Sequence, residues 1–338
     1  MQHLAIDLGS KESHICVRAA DGSVLLERKV GTRSLRAFLQ RQPKSRVVLE
    51  TCSEAFRIAD MAIECAHEVR VVPATLVRSL GVGARRIKTD RRDALVLSEA
   101  SCRIDLPSVH VPSDVSRHRK MLCSAREELV RCRTALINNV RGWTRTQLIK
   151  VRTGDVTTFG KRIRDASLKQ ADGLPEAIER TLIMVEAANE QVALADKELE
   201  QVAHGDPICQ LLMSVPGVGP ITSIRFVAAI DDLSRFPNAH SIQSFLGLTP
   251  GENSSSDRKQ RTSITKAGPA AVRRTLIQAS WNLRRLRPQD PICQWALQIE
   301  QRRGKFIATV AVARKLAGIL FAMWRDGSTY QASHTARP

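Results

Sequence analysis

The first hundred residues alternate short apolar runs with segments of helical spacing. The apolar runs predict five strands, and Asp21-Gly22 predicts a tight hairpin that makes the second and third strands antiparallel. Two segments with apolar residues three and four apart predict helices before and after the fourth strand. The predicted strands are LAIDLG, SHICVRAADG, SVLLERKV, SRVVLE and VRVVP, and the predicted helices are SLRAFLQRQ and EAFRIADMAIECAH. This β-β-β-α-β-α-β order predicts an α/β domain over residues 1–110.

Long helical patterns replace this alternation from about Asp114 onward. Two apolar stripes at near-heptad spacing predict two long helices within residues 111–206. Asn189 and Asp196 interrupt the second stripe, and the pattern fits either an antiparallel hairpin that packs on itself or a dimer arm. Residues 141–174 are polar, basic and rich in turn formers, which predicts a loop that contacts nucleic acid or a mobile connection. The stripes are Leu122, Ala125, Leu129, Cys132, Leu136 and Val140, then Ile178, Leu182, Val185, Val192, Leu199 and Val202.

The remaining segment, residues 207–330, combines a glycine–proline turn with a basic serine loop. Residues 216–220 read P-G-V-G-P between two helical patterns, as in a helix-hairpin-helix that presents backbone N–H groups to phosphate, although they also suit an ordinary tight turn. Three consecutive serines, 254–256, lie in a turn-rich loop before a helix that begins near Pro269. This loop fits a flexible linker, or a site where a serine oxygen attacks a phosphodiester beside cations. The flanking cations are Arg258, Lys259, Arg261 and Lys266.

The charge of the chain indicates a nucleic-acid partner. Lys and Arg total 52 against 34 Asp and Glu, a net charge of +18, and a protein this basic collects polyanions. The excess is uneven, because residues 251–326 carry 15 Lys or Arg against 5 Asp or Glu. DNA or RNA is therefore the favoured partner, ahead of an anionic membrane surface.

The sequence shows no pattern of secretion, membrane insertion or thiolate chemistry. No charged segment followed by an apolar one begins the chain, and no apolar run of about eighteen residues follows. The eight cysteines are scattered without a C-x-x-C or a Cys/His cluster, so neither a zinc site nor a disulfide framework is indicated. We expect a soluble protein of the cytoplasm, associated with the nucleoid and not with a membrane.

Four carboxylates of the first domain are candidates for chemistry. Asp7 ends the first predicted strand and Glu50 the fourth, and neighbouring strands can bring such side chains together. Asp90 and Asp93 fall where a helix begins, and residues three apart share one helical face. Each of them alone also suits a structural role, since acidic residues are favoured in the first turn of a helix. The set of four on such a sheet suits hard divalent cations, phosphoryl chemistry on nucleic acid and a ribonuclease-H-like fold.

Taken together, these motifs resemble the DEDD recombinases of insertion sequences that use a serine nucleophile and a bridge RNA, the 110/1111 type of element, with Piv-type DNA invertases as relatives. The resemblance covers nearly the whole chain. It is carried by AIDLGS, VVLET, KTDRRDA, VPGVGPITS, FLGLTPGENSSS and SITKAGPAAVRRTL. It implies a RuvC-like α/β domain over residues 1–110, a mainly α coiled-coil connection over 111–206 and an α-rich C-terminal transposase domain over 207–330.

The resemblance also implies the active-site residues. The implied catalytic residues are Asp7, Glu50, Asp90, Asp93 and Ser255, of which the four carboxylates hold Mg²⁺ as two ions. Two departures from the family pattern are present. Ser256 stands where relatives often have glycine, which leaves the register among the three serines of 254–256 open by one. Thr51-Cys52-Ser53 stands where A-T-G is common, which affects the loop after Glu50 and not the carboxylate itself.

The implied reaction is cleavage and exchange of DNA strands through a covalent 5′-phosphoserine link. A bridge RNA would select donor and target DNA by base pairing. Because the serine and the carboxylates lie in different predicted domains, a composite site is needed, and contact between the subunits of a homodimer or homotetramer is one way to form it. The predicted nucleic-acid contacts are Arg258, Lys259, Arg261, Lys266, Arg273 and Arg274. The arginine clusters at 284, 285, 287, 302 and 303 also suit backbone contacts, or an ordinary solvated helix face. The helical spacing of Trp281, Trp295 and Trp324 is more typical of a core than of a base-stacking surface.

Three other functions use the same residues. A hydrolytic nuclease of the Holliday-junction-resolvase kind would use water, so Ser255→Ala would leave cleavage intact. A non-enzymatic nucleic-acid-binding protein on a nuclease scaffold would tolerate Asp7→Asn. A site-specific DNA invertase shares the whole pattern.

Overall fold

The chain folds as two compact units, Met1–Pro112 and Ser113–Pro338. The computed structural model describes residues 1–79, 90–168, 173–253 and 261–332, without the side chains of residues 78, 79, 90 and 261. The three-domain division stays a prediction.

A five-stranded mixed sheet forms the centre of the first unit. Its strands are β1 (Gln2–Asp7), β2 (Glu12–Arg18), β3 (Val24–Gly31), β4 (Ser45–Glu50) and β5 (Glu68–Val72). They lie in the order β3-β2-β1-β4-β5, with β1, β2 and β3 antiparallel and with β4 parallel to both β1 and β5. The predicted α/β character, the strand order along the chain and the β2–β3 hairpin are confirmed.

Helices cover both faces of this sheet. They are α1 (Leu35–Gln40), α2 (Ala55–Glu64), α3 (Ala74–Ser79) and α4 (Asp90–Arg103). Because side chains alternate along a strand, Leu4 and Ile6 pack with α1 and α2 in one core. Ala5 and Val48 pack with Leu97 of α4 on the opposite face. Burial of both faces explains why β1 and β4 are almost continuously apolar.

Two long helices, α5 (Asp114–Thr146) and α7 (Glu176–His204), begin the second unit. They pack antiparallel. Arg126 of α5 forms an ion pair with Asp196, whereas Arg133, later in α5, donates a hydrogen bond of 3.2 Å to Asn189, earlier in α7. Both polar residues that interrupt the apolar stripe of α7 therefore have a partner on α5, and the predicted hairpin of the chain on itself is confirmed.

A short helix, α6 (Phe159–Ser167), lies within the segment predicted to be a loop. That prediction is wrong for residues 141–146, which end α5, and for residues 159–167. Phe159 and Ile163 are buried with residues of α5 and α7 in a small separate core, and Arg164 forms ion pairs with Glu179 and Glu186 of α7. The pattern misses this helix because its large apolar residues are few and lie in a basic segment.

Shorter helices and a two-stranded sheet pack around a long central helix in the rest of the second unit. The elements are α8 (Pro207–Met213), α9 (Pro220–Ile230), α10 (Ala239–Phe245), β6 (Pro250–Glu252), β7 (Arg261–Ile264), α11 (Ala270–Leu286), α12 (Pro291–Arg303) and α13 (Lys305–Asp326). Val312, Leu316 and Leu320 of α13 are fully buried in this core. By length and composition α13 could cross a membrane, yet half of its apolar stretch is buried inside the protein, as in the core helix of a folded domain.

Candidate active-site elements

Asp7 and Glu50 end two neighbouring parallel strands. The β1–β4 register pairs Ile6 with Leu49, so the next positions in this register are Asp7 and Glu50. The residues two positions earlier pack in the core beneath α4, and alternate side chains of a strand point to the same face. Both carboxylates are half-buried and belong to the face that α4 covers.

Helix α4 crosses this face antiparallel to β1. His3, near the start of β1, makes a hydrogen bond of 2.8 Å through Nδ1 to Ser101. Ser98, one turn earlier in α4, donates to Cys16 Sγ in the middle of the sheet at 3.1 Å. Earlier residues of α4 therefore lie toward the carboxyl end of β1. Asp93, five residues before Ser98, is only 2% exposed and lies toward that end.

The structure describes the side chains of three of the four predicted carboxylates. The structure brings Asp7, Glu50 and Asp93 toward one end of one sheet face, while the side chain of Asp90, the first residue of α4, lies outside the described residues. Within the described part of the chain, no three His, Cys, Asp or Glu side chains lie close enough to hold a metal ion. The donor set fits a hard divalent cation chemically, because carboxylate oxygens are ligands that Mg²⁺ prefers. The four-carboxylate metal site stays a prediction.

His14 lies beside Asp7, and the sequence analysis missed it. The β1–β2 register places the two residues directly opposite each other. Opposed residues of an antiparallel pair share a face, with Cβ atoms about 4.5–5.5 Å apart. His14 therefore belongs to the same α4-covered face as the carboxylate. The short connection between β1 and β2 is the signal that would have revealed it.

The predicted serine segment connects the two strands of a hairpin. Strands β6 and β7 are antiparallel, with Pro250 opposite Ile264 and Glu252 opposite Arg261. Arg261 is the first residue of β7, and its side chain is not described. The predicted site residues between the strands that lie outside the described residues are Ser254, Ser255, Ser256, Arg258 and Lys259.

Two glycines shape the base of this hairpin. Gly247 and Gly268 have φ of 66° and 77°, in the left-handed region that favours glycine. A Cβ at Gly247 would overlap the backbone of Ala267, and a Cβ at Gly268 would overlap the carbonyl oxygen of Phe245. Lys266, a predicted nucleic-acid contact, is exposed and donates its backbone N–H to Gly247 at 3.2 Å. The two ends of the hairpin are therefore closely packed at its base.

Arg273 and Arg274, both predicted nucleic-acid contacts, have different surroundings. Arg273 is 9% exposed, and its Nη1 donates to the backbone oxygens of Leu246 at 2.8 Å and Ala267 at 3.1 Å. It therefore joins the carboxyl end of α10 to the base of the hairpin. The side chain of Arg274 is 65% exposed and forms an ion pair with Glu127. The nucleic-acid role of both stays a prediction, and of the two Arg274 is the one that faces solvent.

Glu127 of α5 also holds an arginine that the sequence analysis missed. Arg225 of α9 is 9% exposed, and its Nη2 donates to Glu127 at 2.7 Å and to the backbone oxygen of Cys123 at 3.1 Å. Burial raises the pKa of Glu127, but hydrogen bonds from Arg225 and Arg274 outweigh burial and hold that pKa below its ordinary value. One carboxylate thus ties α9 and α11 to α5. An arginine inside the apolar run ITSIRFVAAI was the available signal.

The glycine–proline turn lies between α8 and α9, as predicted. A Cβ at Gly217 would come within 2.8 Å of the Ala279 oxygen and the Leu283 nitrogen of α11. This close packing alone explains why residue 217 is a glycine, so a bound phosphate is not needed to explain it. Gly219, the N-cap of α9, would place a Cβ in open space. Phosphate binding at the turn stays a prediction.

Two family models match the chain in sequence order. A model for DEDD transposases of the IS110 type, described as "Transposase", matches residues 4–145. A second, described as "Transposase IS116/IS110/IS902 family", matches residues 209–291. The first match contains all four predicted carboxylates, and the second contains the serine hairpin.

Curated relatives match over almost their whole lengths. The transposase for insertion sequence element IS1111A of Coxiella burnetii is 27% identical over 334 residues, which cover 97% of this chain and 91% of the relative. The transposase for insertion sequence element IS1328 of Yersinia enterocolitica is 25% identical, with 97% and 98% covered. A probable family 20 transposase of Pseudomonas aeruginosa is 27% identical, with 91% and 92% covered. The chain therefore belongs to the IS110/IS116/IS902 family of insertion-sequence transposases.

Proposed function

We propose that this transposase cuts and rejoins DNA strands by way of a serine nucleophile. The observation that carries the proposal is the placement of Asp7, Glu50 and Asp93 toward one end of the α4-covered face, on a sheet consistent with a RuvC-like fold. Membership of a transposase family is the second support, because moving an insertion sequence requires DNA to be cut and joined.

The four carboxylates Asp7, Glu50, Asp90 and Asp93 would hold Mg²⁺, as two ions. Such ions supply charge stabilisation at the scissile phosphate and at the attacking and leaving oxygens. The protein contributes the placement of the donors. Strands β1 and β4 set two carboxylates side by side, and α4 contributes the other two. All four are oxygen donors, which suit Mg²⁺ better than zinc or copper.

Ser255 would carry the strand exchange. Its Oγ loses a proton and forms a bond to phosphorus as the bond to the DNA 3′-oxygen breaks, and the leaving oxygen takes up a proton to become a 3′-OH. The DNA stays joined to the protein through a 5′-phosphoserine, which conserves the energy of the broken bond. A 3′-OH from another strand then attacks the same phosphorus and releases the serine. No ATP is consumed.

The base of the serine hairpin supports this role for the segment. Gly247 and Gly268 pack closely against neighbouring backbone, and Arg273 donates hydrogen bonds to Leu246 and Ala267. These contacts hold together the two stretches of chain that precede β6 and follow β7. The cations that would contact neighbouring phosphates are Arg258, Lys259, Arg261, Lys266 and Arg274. A guide RNA would select donor and target DNA by base pairing, which leaves backbone contacts to the protein. The proposal requires the carboxylates and the serine to act on one phosphodiester in a homodimer or homotetramer.

Trapping the covalent intermediate tests the proposal. The full-length protein is incubated with element-end DNA, Mg²⁺ and RNA transcribed from the element's flank, then separated under denaturing conditions, and the adduct is mapped by mass spectrometry. Ser255→Ala is expected to abolish both the adduct and recombination. Ser254→Ala and Ser256→Ala are the matched controls, and they are expected to retain both.

The competing functions give different results in the same assay. Cleavage that persists in all three serine variants would identify water as the nucleophile and overturn the serine mechanism. Recombination that persists in Asp7→Asn would overturn the metal site. Reaction products in which the element is inverted, and none in which it is excised or inserted, would identify an invertase. Recombination that is equally fast without the RNA would show that no guide RNA is needed.

A further inference from the structure

A cleft of about 320 Å³ opens between α11, α12 and the start of α13. Its volume lies within the range of about 300–1,000 Å³ that is usual for sites that hold small molecules. Its lining includes Trp281, Arg284, Arg285, Glu300 and Lys305. The cleft lies in the second unit, and none of the residues that line it is a predicted catalytic residue.

Trp281 lines the cleft, and Phe306, just outside the lining, packs against the Trp281 ring. The rings of Trp281 and Phe306 meet edge to face, with centroids 6.3 Å apart and planes at 82°. Phe306 is 81% exposed and lies in the exposed first turn of a helix whose later turns belong to the core of the unit. Lys305 Nζ lies 5.0 Å and the Arg284 guanidinium 5.6 Å from the Trp281 ring. A flat apolar surface thus adjoins positive charge.

The cations at the cleft outnumber the carboxylates. Arg284 is neutralised by an ion pair with Glu300. Arg285 and Lys305 have no carboxylate partner among the residues that the structure describes, and both belong to exposed positions. Three more exposed cations on these helices and their connections also have no carboxylate partner among the described residues. They are Arg287, Arg302 and Arg303.

The start of α13 adds a second anion-attracting feature. Its N-cap, Gly304, has no side chain, and none of the described residues caps the first turn through a side chain. The first backbone N–H groups of a helix without a cap attract anions, and α13 is 22 residues long. These groups adjoin Lys305 and Phe306, so phosphate-binding and apolar groups lie together.

We propose that this cleft binds an unpaired nucleotide of a single-stranded nucleic acid, with the base against Phe306 and Trp281 and the phosphate at Arg285 and Lys305. Exposed aromatic rings beside cations suit single strands, because every base has a π face and every nucleotide an anion. A duplex keeps its base faces stacked internally. A second copy of this chain would bring the same cations against one another across a symmetric contact. The inference goes beyond the proposed strand exchange, since it needs neither Ser255 nor the carboxylates.

Oligonucleotide binding to the full-length protein tests this inference. Oligo(dT) and oligo(rU) are titrated by anisotropy and by quenching of tryptophan fluorescence, and the stronger binder of the two distinguishes DNA from RNA. Phe306→Ala keeps the net charge and is expected to weaken binding about fivefold or more, because a base stack is lost. The matched control is Met184→Ala on α7, which removes another exposed apolar side chain and is expected to leave binding unchanged.

Two further variants separate stacking from general charge. Trp281→Phe is expected to remove most of the quenching while binding by anisotropy persists. Lys305→Ala is expected to lower the salt dependence of binding by about one unit. Its control is Arg180→Ala on α7, which removes the same charge from an ion pair with Glu176 and is expected to have a smaller effect.

Equal affinity of Phe306→Ala and Met184→Ala for both oligonucleotides would overturn the proposal. If Phe306→Ala then also sediments as a smaller species than the wild type, the aromatic surface is an interface between copies of this chain. Ser255→Ala is expected to keep wild-type quenching, so failure of the serine mechanism and failure of the cleft give different results.

Discussion

Replacing Arg273 by Met decides whether this residue holds the serine hairpin or contacts nucleic acid. Its Nη1 donates to the backbone oxygens of Leu246 at 2.8 Å and Ala267 at 3.1 Å, and the residue is 9% exposed. Methionine fills much of the same space without a donor, so both carbonyls lose a charged partner. Hydrogen bonds to charged groups contribute about 1.5–3 kcal/mol each, and because both come from one nitrogen we expect a combined loss of about 2–4 kcal/mol.

The neighbouring residue provides the control. Arg274→Met makes the same substitution with the same change in net charge. The Arg274 side chain is 65% exposed in its ion pair with Glu127, and exposed ion pairs contribute about 0–1 kcal/mol. A structural role for Arg273 therefore predicts a clear difference in stability between two variants that are chemically alike.

Unfolding and hydrogen exchange measure that difference. Urea unfolding followed by tryptophan fluorescence reports on the second unit, which holds all four tryptophans. The amides of Thr265 and Lys266 donate to carbonyls at the hairpin base, and in Arg273→Met we expect them to exchange about 30-fold faster or more, since 1.4 kcal/mol corresponds to about tenfold. If instead Arg273→Met unfolds at the same urea concentration as Arg274→Met, and its DNA binding loses about one unit of salt dependence, Arg273 contacts phosphate and the structural role is wrong.

Three other experiments test buried groups and strained positions of the second unit. Glu127→Gln takes the carboxylate from a buried arginine of α9 and is expected to cost about 1–3 kcal/mol in urea unfolding. Because the folded-state pKa of Glu127 is lowered, the wild type should keep this contribution above an ordinary Glu pKa of about 4.3 and lose it as the pH falls through the lowered value, which a pH series of urea midpoints measures. Alanine in the left-handed region costs about 1–2 kcal/mol of stability. Gly247→Ala is expected to lose more than this, because its Cβ would also overlap the backbone, and to reduce recombination. Gly173 has a similar φ but open space around it, so Gly173→Ala is expected to lose only the conformational part. Burial and the neighbouring Asp206 raise the pKa of Cys209 to about 12, so a thiol reagent at neutral pH is expected to label exposed Cys132 in the native protein and Cys209 only on unfolding.

Each of these has a contradicting result. An unchanged urea midpoint in Glu127→Gln, or a midpoint that does not fall in acid, would mean that the ion pair with Arg225 contributes nothing net. Equal losses in Gly247→Ala and Gly173→Ala would show that packing at the hairpin base adds nothing to the conformational cost. Rapid labelling of Cys209 in the native protein would show that the core around α8 opens readily.

The sheet of the first unit could be predicted because its local and long-range signals agree. Strands buried on both faces are continuous apolar runs, and the short β2–β3 connection at Asp21-Gly22 fixes an antiparallel pair. The neighbouring positions of Asp7 and Glu50 then follow from the parallel β1–β4 register. The direction of α4 does not follow from sequence, since it depends on contacts such as His3 with Ser101, which lie far apart in the chain.

The second unit was harder to predict because its polar residues take their roles from distant partners. Asn189 and Asp196 weaken an apolar stripe when read alone, yet each has an arginine on α5 as its partner. Arg273 and Arg274 are the same residue type at consecutive positions of α11. The rotation of about 100° between consecutive helical residues places one toward the hairpin base and the other toward solvent. A pattern along one chain cannot distinguish such neighbours.

Among the described residues of 251–326, fewer basic side chains are free at the surface than a count from the sequence suggests. Arg273, Arg284 and Arg314 are engaged by backbone carbonyls, by Glu300 and by Gln243 respectively. A guanidinium that donates to buried carbonyls gains little from a phosphate and releases few counterions, so it adds little to the salt dependence of binding. Among the described residues of 251–326, the exposed cations without a carboxylate partner therefore lie on α11, α12, α13 and their connections and, as Lys266, at the base of the serine hairpin. Net charge counts every arginine equally, whereas the salt dependence of binding counts the cations that solvent and phosphate can reach.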